Sequence, residues 1–169
     1  MSAWLTRVGR IALLRAGPQE LPASSAALLL AMVLWWSLTG AMLLFAPEPP
    51  PLLDVLLTFA LQLASIRVVL EIARRPARFG QVAQALFATG ALIGLLNMPL
   101  WLVAGPAGGA TTIPGPLVVL ALIGLFWSLA VDGHVWRHAL ELPYAGGIAV
   151  AVLVFLLQII ALEALGLGS

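Results

Sequence analysis

The stretch SSAALLLAMVLWWSLTGAMLLFA, residues 24–46, carries no charged side chain from end to end. Its apolar part, from Ala26 to Ala46, covers roughly 30 Å as a helix at about 1.5 Å per residue, the depth of a bilayer's hydrocarbon core. Lipid offers backbone N–H and C=O groups no partners, so a segment that crosses it must satisfy them internally, as a helix does. Pro22, Ala23 and Ser24 make a helix start with Ser24 or Ser25 as cap. The run APEPPP at 46–51 makes a stop that no helix continues through.

The rest of the chain repeats this unit. Apolar runs at about 52–72, 81–103, 117–131 and 144–165 are separated by Pro, Gly and Arg, and AGPAGGATTIPGP at 104–116 is a loop without a charge. Of 169 residues, 62% are hydrophobic and 9% charged, and mean hydropathy is +1.09. A soluble domain carries about 25% charged residues. The expectation is an all-α, polytopic membrane protein: one domain of five transmembrane helices over residues 23–169, preceded by a tail at 1–22. With no cysteine, disulfides, thiolate metal sites and cysteine nucleophiles are excluded. A net charge of +1 argues against a nucleic-acid partner. All eight basic residues are Arg, and with the Ala, Leu, Gly and Pro richness this suggests a GC-rich bacterial genome, hence the bacterial inner membrane.

In the tail, Trp4, Leu5, Val8, Ile11 and Ala12 share one helical face, with Arg7 and Arg10 off it. Arg15 lies at the end, where its stem can snorkel. The pattern predicts a short interfacial helix, apolar face among lipid headgroups, ended by Gly17 and Pro18. A signal peptide fits poorly, because the next apolar run is too long and no small-residue cleavage site closes it. Alternating five spans gathers the tail, 73–80 and 132–143 on one side. These segments hold Arg7, Arg10, Arg15, Arg74, Arg75, Arg78 and Arg137, while the opposite loops and the terminal GLGS hold no basic residue. Arginine excess marks the cytoplasmic side, so the N-terminus is expected inside, the C-terminus outside, and these seven side chains at lipid headgroups.

Several intramembrane features are candidates for chemistry. Asp54, Thr58, Gln62 and Ser65 fall on one face of the second span, reading either as a solute path or as interhelical hydrogen bonding. Only Asp54 is ionisable and it sits shallow, which favours the second reading. Arg67 and Glu71, four apart, form a structural ion pair rather than a voltage sensor, which needs an Arg series. Asn97 and Pro99 mark a helix break in the third span, of the kind transporters use for ions, but without a matching break elsewhere it reads as a structural kink satisfied by neighbouring helices. The helix of the fourth span can continue through His134; on it His134 and His138 would have the i, i+4 spacing of metal ligands but lack a third ligand, and in a short cytoplasmic segment they read as solvated. Trp35, Trp36 and Trp127 are deep and read as packing, whereas Trp4, Trp101 and Trp136 suit an interfacial belt. Ala145, Gly146 and Gly147 open the last span with a face that lets another helix come close. No catalytic set, cofactor fingerprint or metal site can be assembled from these residues.

Two stretches carry a resemblance: ARFGQVAQALFATGALIGLLNMPLWLV at 77–103, with its polar start, small residues and Pro99, and LIGLFWSLAVDGHVWRHALELPYAGGIAVAVL at 122–153, where a Trp-bearing span meets a His-bearing basic segment and a last helix. From about 20 to 165 this order resembles the Yip (Ypt-interacting protein) family, including its short bacterial members. The resemblance implies a five-helix membrane domain with a cytoplasmic N-terminus. Eukaryotic members act in membrane trafficking and contact small GTPases through a longer N-terminal region. About 22 residues precede the first span here, so GTPase binding is not implied, and no catalytic residue is transferred. The functional expectation is a non-enzymatic scaffold or accessory subunit without cofactor, whose partners are membrane lipids and other membrane proteins or itself. A small permease or channel along the second span is the alternative.

Overall fold

A computed structural model describes residues 2–43, 51–104 and 115–165. Its helices are α1 (Ser2–Ala12), α2 (Ser25–Leu43), α3 (Leu52–Ile72), α4 (Phe79–Ala104), α5 (Gly115–Leu140) and α6 (Tyr144–Ala164), with 3-10 turns at Pro18–Glu20 and Pro76–Arg78. No strand occurs among the described residues. The helices α2 to α6 are long and apolar enough to cross a membrane, and the protein is a multi-pass integral membrane protein. The proline break at 46–50, the loop at 105–114 and the terminal GLGS lie outside the described residues.

The bundle is built around α4. In the apolar 18-residue window of the span Pro76–Leu100, 56% of residues are buried in protein, against 6–17% in the corresponding windows of the other four spans. It touches α1, α2, α3, α5 and the first 3-10 turn. Its sequence explains this position, because Ala83, Ala85 and Ala88 keep it thin enough for neighbours on several sides. Against it Trp35, Phe59 and Phe87 form an aromatic triangle, with ring centroids 5.2–5.9 Å apart, and Trp36 packs on Phe59 at 5.3 Å. Such contacts supply packing where water gives no hydrophobic driving force. A second close pair is α5 and α6, joined by a short turn. Gly147 lies so near Gly133 that a Cβ there would collide with the Gly133 carbonyl oxygen.

Three helix ends share one geometry. Leu14, Arg74 and Glu141 have φ of 60°, 58° and 59°. Arg15 N–H reaches Arg10 O (2.8 Å), Arg75 N–H reaches Leu70 O (2.7 Å) and Leu142 N–H reaches Arg137 O (2.9 Å). These are Schellman endings, which satisfy otherwise orphaned carbonyls and normally use glycine at the left-handed position. An L residue there costs about 1–2 kcal/mol. At Glu141 the conformation has a return: its carboxylate is clasped by Arg75 and Arg78.

Several expectations change. The tail helix forms, but Val8, Ile11 and Ala12 are buried against α4 and α5 rather than laid among headgroups. It ends at Ala12 through the turn at Leu14, before Gly17 and Pro18. The continuation of the fourth span through His134 goes further than expected: α5 runs to Leu140, so His138 is helical too, and His134 is buried rather than solvated. Arg137 in its last turn favours that extension, since a cation complements the negative end of a helix. Asn97 and Pro99 do not break α4, which runs through Pro99 to Ala104. The Asn97 amide fits against Gly124, which has no side chain to exclude it, so α5 braces α4 where the proline removes a backbone bond.

Candidate functional site

Four side chains of α4 and α5 converge on the backbone of the N-terminal segment. Trp127 Nε1 donates to Ala12 O at 2.9 Å. His134 Nε2 lies 2.9 Å from Ala16 O, and because a carbonyl only accepts, that nitrogen carries the proton. Gln81 Nε2 donates to Leu21 O at 2.8 Å. Gln84 is fully buried, and the amide orientation that satisfies its neighbours has nitrogen donating to Pro22 O (3.0 Å) and oxygen accepting from Trp4 Nε1 (2.5 Å). An ion pair between Arg10 and Glu20 (3.3 Å) closes the segment on itself. These side chains lock residues 4–22 into the bundle. Sequence reading assigned Trp127 to packing and His134 to solvent and left Gln81 and Gln84 unremarked.

At the same end of the bundle, Arg78 Nη1 donates to His138 O (3.1 Å) and Ala139 O (2.7 Å), capping α5, while its Nη2 donates to Glu141 Oε1 (2.6 Å). Arg75 Nη2 donates to Glu141 Oε2 at 2.7 Å. The hydrogen bonds from Arg75 and Arg78 hold the Glu141 carboxyl well below the usual carboxylate range, at about 2. A carboxyl depressed in the folded state adds stability that is full above its ordinary pKa of 4.5 and disappears as pH falls towards 2. Glu141→Gln is therefore expected to melt below the parent at neutral pH. The gap should narrow below about pH 4.5 and close only as the pH approaches 2, as thermal unfolding in detergent will report.

The second-span stripe is brought together only in part. Thr58 Oγ1 donates to Asp54 O and Ser65 Oγ to Leu61 O, both at 2.8 Å and both within α3. Gln62 Oε1 accepts from Gln158 Nε2 of α6 at 2.6 Å, the one interhelical bond the stripe makes among the described residues. Gln62→Leu alone strands Gln158 and is expected to cost about 1 kcal/mol, whereas the Gln62→Leu, Gln158→Leu pair restores stability to within roughly 0.5 kcal/mol. A double-mutant unfolding cycle measures both. Arg67 and Glu71 form the expected pair at 2.6 Å, both about half exposed. His134 and His138 rings lie 4.6 Å apart. No group of three His, Asp or Glu side chains placed to hold a metal occurs among the described residues.

Two concavities among the described residues bear on function. One of about 260 Å³ sits at the arginine-rich end between the first 3-10 turn and the α4–α5 junction, with Gln19, Arg78, His138 and Glu141 on its wall. The other, of about 500 Å³, runs between α1, α2 and α4 and is almost wholly apolar. No protein-family model, curated protein or solved structure matches the chain. Function therefore rests on chemistry alone. Gln81, Gln84, Trp127 and His134 bond to backbone carbonyls of the chain itself, and Gln62 and Gln158 bond to each other.

Proposed function

We propose that the protein is a non-enzymatic scaffold or accessory subunit that binds other membrane proteins, itself or lipids. The observation that carries this is the direction of its polar groups: Gln81, Gln84, Trp127 and His134 hold the chain's own backbone. What the spans offer outward is apolar surface such as Val119, Ile123 and Phe126 of α5 and Leu153, Leu157 and Ile160 of α6. A permease would use the stripe from Asp54 to Ser65 as a wet path, but two of its hydroxyls are already bonded within α3. The arginine distribution supports a cytoplasmic N-terminus and an outer C-terminus in a bacterial inner membrane. The likeness of 77–103 and 122–153 to Yip proteins agrees with a membrane-organising role. The test is chemical crosslinking in native membranes, then purification in mild detergent. A crosslinked partner, a self-crosslinked species or retained lipid is expected. A monomer that carries none of the three overturns the reading.

A further inference from the structure

We infer that the groove between α1, α2 and α4 holds one acyl tail of an anionic phospholipid. The inference rests on the lipid-binding part of the function proposed above and gives it a place. The groove of about 500 Å³ falls within the roughly 300–1,000 Å³ of small-molecule sites. Its walls are Leu34 and Leu38 of α2 and Ala88, Ala91 and Leu95 of α4, with Leu5 and Val8 of α1 on its remaining side. The wall has no charged residue, and its only hydroxyl is that of Ser37. Water needs two to four polar partners to stay in such a space, so it does not fill this one.

Position selects the occupant. Two walls belong to membrane-spanning helices, and Leu5, Leu34 and Leu95 are exposed at the groove, so it opens sideways onto lipid. From Ala88 to Met98 the α4 wall extends about 15 Å, at 1.5 Å per residue, and half of a roughly 30 Å hydrocarbon core is the depth that tails of one leaflet cover. The floor is made by the small residues Ala88 and Ala91, so the cleft is set by side chains that are missing rather than by helices held apart.

Charge selects the headgroup. At the Gln84 end of the groove Trp4 Nε1 is tied to the Gln84 amide. One turn further along α1 lies Arg7, an exposed cation that no ion pair among the described residues uses, whereas Arg10 is paired with Glu20. α1 carries no acidic residue. Arg7 lies between the groove-lining Leu5 and Val8 in sequence, so a phosphate with net negative charge is favoured over a zwitterion beside this helix.

The test is native mass spectrometry of the full chain in mild detergent, titrated with dioleoyl phosphatidylglycerol or dioleoyl phosphatidylcholine. One tightly held phosphatidylglycerol per chain is expected. Ala91→Phe and Ser37→Trp fill the groove from opposite walls. Each should weaken that adduct at least about tenfold, the effect of displacing two or more methylenes from an apolar contact. Circular dichroism and melting identify a variant that has lost its fold, and the other then decides. Arg7→Gln should keep the adduct but reduce the preference for phosphatidylglycerol about fivefold, which is what one arginine at a membrane surface supplies. Unchanged binding in both folded filling variants overturns the site, and an unchanged preference in Arg7→Gln overturns the headgroup assignment. Capture of a protein instead of lipid by a photocrosslinker at Ser37 would also overturn it. In that case, or if the parent holds no lipid while a protein partner is captured in membranes, the groove assignment fails and the scaffold reading stands.

Discussion

Replacing Gly147 with leucine should part α6 from α5 and leave little folded protein. A Cβ at Gly147 would collide with the Gly133 carbonyl oxygen and stand 2.8 Å from both the backbone nitrogen and the Cβ of Arg137. Those are atoms of the facing helix itself, so no rotamer change relieves the clash and one whole helix must move. Overpacking of a close-packed site costs about 1–3 kcal/mol when side chains can yield, and more when backbone must. Shifting α6 also disturbs Ala151 and Val154, which belong to the buried core. We expect Gly147→Leu to lose more than about 3 kcal/mol and Gly147→Ala a substantial part of that. Unfolding in mixed micelles and the monodisperse fraction on gel filtration are the measurements. Gly40→Ala is the control, because nothing lies within 4 Å of a Cβ there, and α2 should gain up to about 1 kcal/mol from the better helix former. A Gly147→Leu protein as stable as the parent would mean that α5 and α6 do not meet at Gly133.

The spans were legible because their apolar runs are long and their boundaries are marked by Pro22, Pro51, Pro76 and Pro143. Gly147 was legible as a place of close approach, though which helix approaches it was not. What stayed hidden involved backbone groups. The acceptors at Ala12, Ala16, Leu21 and Pro22 are carbonyls, which every residue has, and their donors stand 60 to 118 residues away. A signal did exist in the seven-residue spacing of Trp127 and His134 and the three-residue spacing of Gln81 and Gln84, each of which places two donors on one helical face. The apolar face of α1 was legible too, but such a face has the same pattern whether it meets lipid or protein. Its early end was not, because Leu14 takes a left-handed conformation with no glycine to announce it. The stripe on α3 reads as interhelical hydrogen bonding, but its hydroxyls bond back to their own helix, a difference that hydroxyls in a span do not announce in sequence.

Gln84→Leu separates these cases in one measurement, and its effect should be local. The parent amide satisfies two groups at once, the Trp4 indole N–H and the Pro22 carbonyl, in a place with no exposure. Leucine fills a similar volume but leaves both groups without a partner. An unsatisfied buried polar group costs about 1–3 kcal/mol, so roughly 2–4 kcal/mol should be lost after allowing for the buried amide that is itself removed. The spans need not unfold to recover this, because undocking residues 2–24 returns both groups to solvent or headgroups. Hydrogen exchange should therefore rise across residues 2–24 by about thirtyfold or more, while α5 and α6 keep parental protection. Gln84→Glu keeps the acceptor for Trp4 but withdraws the donor from Pro22 and should fall between the two. A cycle with Trp4→Phe should return a coupling of about 1 kcal/mol, since these two side chains touch. Exchange that stays at the parental rate in Gln84→Leu would mean that Val8, Ile11 and Ala12 hold the segment by packing alone. The polar side chains of α4 would then be available to something other than this chain, and the observation behind the scaffold reading would be lost.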